Sequence, residues 1–386
     1  MTTPRYFDYA ATTPVAPEVV SAMCHCLDLG GNFGNAASRS HVFGWRAEEA
    51  VERARAQVAA LIAADTREIV WTSGATEAIN LALKGAVQSG LAEAMPLHVI
   101  SSAIEHKATL DTLAYLSRAE GVEVSYVAPE PEGWVSVEKI VAAMRPETRL
   151  VSLMHANNET GMVNDIASLG AICRARDILF HVDAAQSFGK LQIDVHAMNI
   201  DLLSMSAHKI YGPKGAGALF VRRHPSVRIE AQMHGGGHER GMRSGTLATH
   251  QVVGMGKAAE LAAHRMATDR ETQEALRARF LAGLRQTRGW ALVGAEGPRL
   301  PGIVNLSFPD IDGETLLMSL RQLAVSSGSA CTSASLDPSY VLRAMGLSER
   351  VAQNSLRFSL GRYTTADDVD FALAEIKQAL AVLAKE

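Results

Sequence analysis

Between Glu68 and Arg222 the apolar positions fall into short, nearly continuous runs. Glu68–Thr72, Leu97–Ser102, Val122–Ala128, Arg149–Met154, Ile178–Asp183, Asp201–Ser206 and Gly217–Arg222 predict β-strands. Runs with so little polar interruption suit strands covered on both faces. The intervening segments Thr76–Ala86, His106–Ala119 and Ile166–Arg176 read as helices. Strand and helix in alternation predict an α/β fold: a mainly parallel sheet, helix-covered, with right-handed crossovers. Ligands bind such sheets outside the carboxyl ends of the strands, so those ends are where chemistry is sought first.

The flanks follow other rhythms. Trp45 to Ile62 predicts an amphipathic helix, with Ala47, Val51, Ala54, Val58 and Leu61 at helical spacing. Lys257 to Arg288 is charged, Ala-rich and helical, a bridge between domains. Leu356, Phe358 and Leu360 alternate with Ser355, Arg357 and Ser359, which predicts a half-buried strand. A last helix opens with a capping box, Thr365 and Asp368, and carries Val369, Leu373, Ile376, Leu380 and Leu383 on one face. The chain therefore divides into a large α/β domain, residues 15–264, and a small α+β domain built from residues 1–14 and 265–386. No internal repeat or low-complexity segment interrupts it.

Composition narrows the function class. The 386 residues carry 37 Lys and Arg against 41 Asp and Glu, a net charge of −4, with no basic stripe of the kind a nucleic-acid binder shows. No apolar run approaches the ~18–20 residues of a membrane helix, and Met1 to Thr13 resembles no secretory signal. Cys24, Cys26, Cys173 and Cys331 are too scattered for a disulfide framework or a CxxC zinc site. The expectation is a soluble, cytoplasmic protein whose chemistry lies in local clusters.

Three strand ends supply such clusters. Thr72-Ser73-Gly74-Ala75-Thr76-Glu77 joins a strand to a helix through small residues, leaving backbone N–H groups for a phosphate. It has neither the P-loop nor the dinucleotide glycine pattern. His181-Val182-Asp183-Ala184-Ala185-Gln186 ends a second strand with a carboxylate, although an Asp there is more commonly a helix cap. Ser204-Met205-Ser206-Ala207-His208-Lys209 ends a third with a lysine. Phosphate anchoring, an acid for a pyridinium nitrogen and an amine for a Schiff base are together what pyridoxal 5'-phosphate requires. Lys209 is preferred to Lys214, which lies in a Gly/Pro turn facing solvent.

Other segments fit around these. His106 stands just past a strand end, where an imidazole can stack on a ring and move protons, or simply start a helix. Asn157-Asn158 reads as a turn whose amide can also meet a cofactor oxygen or a carboxylate. In His234 to Thr246 the histidines are separated by three glycines, which removes helical metal spacing; an anion-binding loop is the better reading. Ser326 to Ser335 surrounds Cys331 with tiny side chains, the setting of a mobile, accessible thiol, whereas Cys24, Cys26 and Cys173 read as packing residues. A free lysine is only ~0.1% neutral at pH ~7.5 and a cysteine ~10% thiolate, so the amine needs a structured, desolvated site more than the thiol does.

In order, Thr72–Glu77, Glu105-His106-Lys107, Asn157–Gly161, His181–Gln186, Ser206–Gly215, Gln232–Thr246 and Ser326–Ser333 resemble the motif set of pyridoxal-phosphate cysteine desulfurases. The resemblance is to the NifS/IscS type, first group, of the class V aminotransferase family, and runs from Tyr6–Pro14 to about Tyr363. It implies the aspartate aminotransferase-like fold, fold type I. It further implies that Lys209 forms the Schiff base, Asp183 pairs with the pyridinium nitrogen, Gln186 approaches the phenolic oxygen and His106 stacks on the ring. Ala75, Thr76, Ser206 and His208 would hold the phosphate, completed by Thr246 from the partner subunit of a homodimer. Asn158 and Arg357 would hold the substrate carboxylate, and Cys331 would accept the sulfur. Through its persulfide Cys331 could also touch a nascent iron–sulfur cluster.

The implied reaction converts L-cysteine to L-alanine and delivers sulfur to an iron–sulfur scaffold or a tRNA-thiolation relay protein. Selenocysteine lyase, another class V lyase or transaminase, and a non-enzymatic persulfide carrier are the alternatives. Ala36 stands where the family often has Pro and Ala207 where Gly is usual, both small-for-small. Longer housekeeping members carry, beyond the helix ending Leu383-Ala384-Lys385, a tail that helps dock the scaffold; the expectation here is the same chemistry without that contact.

Overall fold

The computed structural model describes residues 3–89, 97–285, 287–294, 297–327 and 338–383. The chain opens with strand β1 (Arg5–Tyr6) and helices α1 (Pro17–Cys24) and α2 (Val42–Leu61). There follow β2 (Ile69–Thr72), α3 (Ala75–Gln88), β3 (His98–Ser102), α4 (Lys107–Glu120), β4 (Glu123–Val127) and α5 (Val137–Ala143). Next come β5 (Thr148–Met154), α6 (Ile166–Ala175), β6 (Leu179–Asp183), β7 (Leu202–Ser206) and β8 (Gly217–Val221). All seven expected strands are present, each end within about one residue of its expected place.

These strands form one sheet in the order β2-β8-β7-β6-β5-β3-β4. Pairing is parallel except at β8, which runs antiparallel to both neighbours. Since only β8 is reversed, β2, β3, β5, β6 and β7 all end at one edge. The register sets Met154 beside Asp183 and Asp183 beside Ser204. Strands β3, β7 and β8 are buried along their whole length, as two-sided helix cover requires.

Helix α7 (Thr249–Leu284) is 36 residues long and joins two apolar cores. Its Met255, Ala258 and Ala259 belong to the core of the large sheet, while Leu276, Phe280 and Leu284 pack with Phe7, Leu306, Phe308 and Phe358. It starts eight residues before the expected Lys257. Glycines 254 and 256 serve helix packing: a Cβ on Gly256 would lie 2.5 Å from Ala54 Cα of α2. The residue boundary expected at 264/265 falls within this helix.

The second core sits on an antiparallel sheet. It contains β9 (Ala291–Leu292), β10 (Ile303–Ser307), β12 (Ser326–Ser327) and β13 (Ser355–Ser359), ordered β12-β13-β10-β9. Helix α8 (Gly313–Ser319) precedes β11 (Leu323–Ala324), which pairs in parallel with β1. Short helices α9 (Tyr340–Ala344) and α10 (Glu349–Gln353) lead to β13, and α11 (Ala366–Leu383) closes the described chain. The capping box is made: Asp368 N donates to Thr365 Oγ1 at 3.1 Å and Thr365 N to Asp368 Oδ2 at 2.9 Å.

Strand β13 departs from expectation. It is buried on both faces, because its polar side has protein partners instead of water. Ser355 Oγ donates to Val351 O, Ser359 Oγ accepts from Ala10 N, and Arg357 is only 2% exposed. Cys24 is also corrected: it is exposed at the end of α1, whereas Cys26 and Cys173 are buried. No helix among the described residues is long and apolar enough to cross a membrane.

Candidate active site

A cavity of about 540 Å³ opens at the carboxyl edge of the large sheet. Its walls bring together Ala75, Thr76, His106, Asn158, Asp183, Gln186, Ser206, His208, Lys209 and Arg357, residues drawn from segments up to 282 positions apart in sequence (357 − 75). Lys214, exposed as expected, also lines it. Thr246 is exposed on the Gly-rich loop and lies outside these walls. Cys331 lies outside the described residues.

One wall is the start of α3. Its N-cap is Gly74, at φ 156° and ψ 177°, and no side chain caps the helix. The N–H groups of the first turn are therefore left for an anion, with the helix dipole in support. The turn is also tightly seated. A Cβ on Gly217, at the start of β8, would lie 2.5 Å from Gly74 Cα, so only glycine lets β8 begin there. Glu77 accepts from Ser73 N at 2.7 Å and from Arg243 Nε at 2.8 Å. That ion pair occupies the Gly-rich loop's Arg243, and Arg240 donates to Ile69 O, so these arginines tie the loop to the fold instead of meeting an anion. Among the described residues no cluster of metal-ligating side chains occurs, His234 and His238 included.

The histidines are shaped by burial. His106 is the N-cap of α4, its Nδ1 accepting from Ala108 N at 3.1 Å. That bond leaves the neutral ring's proton on Nε2. Burial, aided by Lys209, holds its pKa below the ordinary histidine range although Asp183 opposes. His208 bonds Thr12 Oγ1 at 3.1 Å and is pushed down to about 4 by burial and then by Lys209, Lys214 and Lys190. Both rings therefore act as neutral groups near pH 7.

Asp183 ends β6 almost fully buried, its Oδ1 accepting from Ala185 N at 2.8 Å. No helix follows at once, so the carboxylate caps a turn and keeps its place on the cavity wall. The two asparagines divide their work. Asn157 Oδ1 accepts from Glu159 N and Thr160 N and makes the turn, while Asn158 Oδ1 is buried with no partner. Arg357 donates from Nη1 to Asn158 O at 2.9 Å and from Nη2 to Asp8 Oδ1 at 2.8 Å; its Nε is buried without a partner. Buried polar atoms are rarely left unmatched, and these two belong to residues that line the cavity.

Sequence reading missed several neighbours. Asp8, the ion partner of Arg357, was visible only as an acid within an apolar opening. Glu105 is fully buried: Oε1 accepts from Ser102 Oγ and Met154 N, and burial with Asp183 nearby raises its pKa to about 8. Glu159 is raised to about 7 by burial, against the pull of the Ser339 hydroxyl and Arg357. Lys190 donates to Gln186 Oε1 at 3.2 Å, and its one sequence signal was a spacing of four from Gln186.

A family model described as aminotransferase class-V matches residues 5–371. The chain belongs to the class V aminotransferase family. Among class V relatives, a protein named cysteine desulfurase IscS from Tolumonas auensis is 57% identical over 383 residues, 99% of this chain and 94% of that one. A solved NifS-like protein superposes with a TM-score of 0.90 at 36% identity, covering 99% of this chain and 100% of its own. A structure described as SspA in complex with cysteine gives a TM-score of 0.83 at 39% identity, covering 94% and 100%. These likenesses establish the fold type I architecture.

Members of this class V family use pyridoxal 5'-phosphate. The residues present fit it. The uncapped start of α3 matches a phosphate, Lys209 supplies an amine, Asp183 a buried acid, and the unmatched Asn158 Oδ1 lies on the same walls. A volume of about 540 Å³ is within the usual range for a small-molecule site.

Proposed function

We propose that this protein is a cysteine desulfurase: L-cysteine and the Cys331 thiol give L-alanine and a Cys331 persulfide. The observation that carries it is one cavity holding Lys209, Asp183, an uncapped helix start and the buried Arg357. Ala75, Thr76, Ser206 and His208 would hold the cofactor phosphate, Asp183 its ring nitrogen, and His106 its ring face. When bound, the cofactor supplies an electron sink for the substrate's α-carbon. Lys209 is the proton carrier at that carbon, Asn158 and Arg357 orient the carboxylate, and the neutral His106 Nε2 is placed to exchange a proton with the departing sulfur.

Position supports Cys331 as sulfur acceptor. Ser326 pairs with Arg357 and Ser327 with Leu356, so the chain leaves β12 beside the cavity. Cys331 follows four residues later in the sequence, outside the described residues. On the far side Ser339 bonds Glu159, and Tyr340 Oη donates to Glu105 O at 2.6 Å. Sulfur that starts in the cavity and ends on this thiol can then pass to an acceptor protein, an iron–sulfur scaffold or a tRNA-thiolation relay.

A homodimer belongs to the same proposal. Leu27, Leu29, Phe33, Phe43 and Trp45 are exposed, Leu29 by 78%, with the Phe33 and Phe43 rings 5.3 Å apart, and exposed apolar side chains gathered in a patch favour a partner surface. Thr246, exposed and outside its own cavity, is free to complete the phosphate site of a second copy. A large domain of residues 15–264, a small one of residues 1–14 and 265–386, and a cytoplasmic location complete the reading.

The test is direct. Protein supplied with pyridoxal phosphate and L-cysteine should form alanine and an equal amount of persulfide on Cys331. Borohydride reduction followed by peptide mapping should place the pyridoxyl label on Lys209. A protein that never takes up the cofactor would sink the proposal.

A further inference from the structure

Gln186 lines the cavity, yet neither end of its amide is loose. Nε2 donates to Ala10 O at 2.8 Å and Oε1 accepts from Lys190 Nζ at 3.2 Å. An ammonium can only donate and a main-chain carbonyl can only accept, so these two contacts permit one amide orientation. The oxygen is turned to Lys190 and the nitrogen keeps a second N–H. We propose that Lys190 is the positioning residue for Gln186, holding the amide so that an N–H, not the carbonyl, faces the phenolic oxygen of a bound cofactor. This rests on the reading of the cavity as a pyridoxal-phosphate site.

Reversal of the amide would set two acceptors face to face at Ala10 O and two donors face to face at Lys190; without Lys190, only Ala10 O would resist it. Lys190 is suited to the task. It keeps a minor share of its surface exposed, and it shares a narrow cleft of about 40 Å³ with Lys209. Its pKa is pushed down to about 7, first by enclosure and then by the Lys209 and Arg357 cations. Its ammonium form can only donate, so its hold on the amide is firmest below that pH; the neutral amine can also accept, and above it Ala10 O keeps the orientation. The charged groups around it are Lys209 and Arg357, with Asp8 paired to the latter and His208 feeling its charge.

The readout is the visible absorbance of the bound cofactor. An N–H donated to the phenolic oxygen favours its anion, so loss of that bond makes the oxygen keep its proton to higher pH. Lys190→Met should raise the titration midpoint of the band by about one pH unit, the equivalent of a hydrogen bond to a charged group. Lys190→Arg, which restores a donor, should return the midpoint to the wild-type value. In a Gln186→Leu background the Lys190→Met change should add no further shift, because Lys190 acts through that amide.

An unshifted midpoint in a folded Lys190→Met holoenzyme overturns the proposal. So does an equal extra shift in the Gln186→Leu background, which would mean that the lysine acts by its own charge. If Lys190→Met does not fold, a folded Lys190→Arg whose midpoint departs from wild type overturns it as well. A wild-type protein with no cofactor band is a different result: it removes the reading of the cavity, and this inference with it.

Discussion

Replacement of Arg357 by lysine keeps the charge and removes the fork. In the structure Nη1 serves Asn158 O, Nη2 serves Asp8 and Nε has no partner. A substrate carboxylate would take Nε and share an Nη hydrogen, a two-point grip that an ammonium cannot reproduce. One hydrogen bond to a charged group contributes about 1.5–3 kcal/mol. At 1.36 kcal/mol per tenfold, its loss lowers kcat/KM for L-cysteine by roughly 10- to 150-fold, mainly through KM. The assay is sulfide release in excess thiol reductant, with L-cysteine and with cysteamine, which lacks the carboxylate. Wild type should prefer cysteine, and Arg357→Lys should lose most of that preference while its cofactor absorbance is kept. An equal fall on both substrates would refute the reasoning, because Arg357 would then be supporting the fold instead of gripping a carboxylate.

Three other outcomes are expected. Cys331→Ser should abolish persulfide formation while the visible cofactor band persists; loss of the band would contradict the separation of roles. Glu105 has a folded pKa near 8 against about 4.5 unfolded, so the folded state binds the extra proton and stability falls as pH rises between those values. From pH 5 to 7 that is on the order of 3 kcal/mol, and Glu105→Gln should flatten the fall in urea unfolding curves; an unchanged slope would be the contrary result. Glu239→Gln should destabilise by about 3 kcal/mol, because buried Arg55 then loses the carboxylate it meets at 2.7 and 2.9 Å. The same carboxylate accepts from Trp71 N and holds Glu239 and Arg240 at φ 49° and 57°, so a loss below 1 kcal/mol would show the pair to be idle.

The large sheet was legible because its strands are buried on both faces and so read as unbroken apolar runs. The three strand ends that carry Asp183, Lys209 and the Gly74 turn were legible for the same reason. Elsewhere local pattern misled. Helix α7 starts eight residues before the expected Lys257, because sequence does not show that α2 crosses Gly256, and Met23 of α1 meets Gly254, closely enough to exclude a Cβ. The alternation of β13 looked like a solvated face because nothing local reveals that Asp8, 349 positions away, supplies the charge for Arg357. Glu105 and Lys190 are similar cases. A charged residue in a motif shows its type, but its burial, and hence its protonation, depends on elements distant in the chain.

Burial also sorts which groups of the site carry charge. The rings of His106 and His208 are kept neutral and Glu105 is kept protonated, so cationic charge in the cavity comes from lysine and arginine. Glu159 and Lys190 are both brought to about 7 and both have Arg357 as a charged neighbour, with Glu105 following near 8. As pH rises from 6 to 8, Glu159 gains a negative charge and Lys190 loses a positive one. Each change makes the surroundings of Arg357 less attractive to a carboxylate. Binding of the product L-alanine, neither of whose groups titrates in that interval, should therefore weaken with rising pH. Retention of the cofactor phosphate, held by backbone N–H groups, hydroxyls and a neutral His208, should change less, because Lys190 is the weakest of the three lysines felt at His208 and Glu159 is not among its charged neighbours. Equilibrium dialysis of both ligands across the interval checks the difference, and a parallel loss of both would mean that the phosphate and carboxylate ends of the cavity are not electrostatically separate.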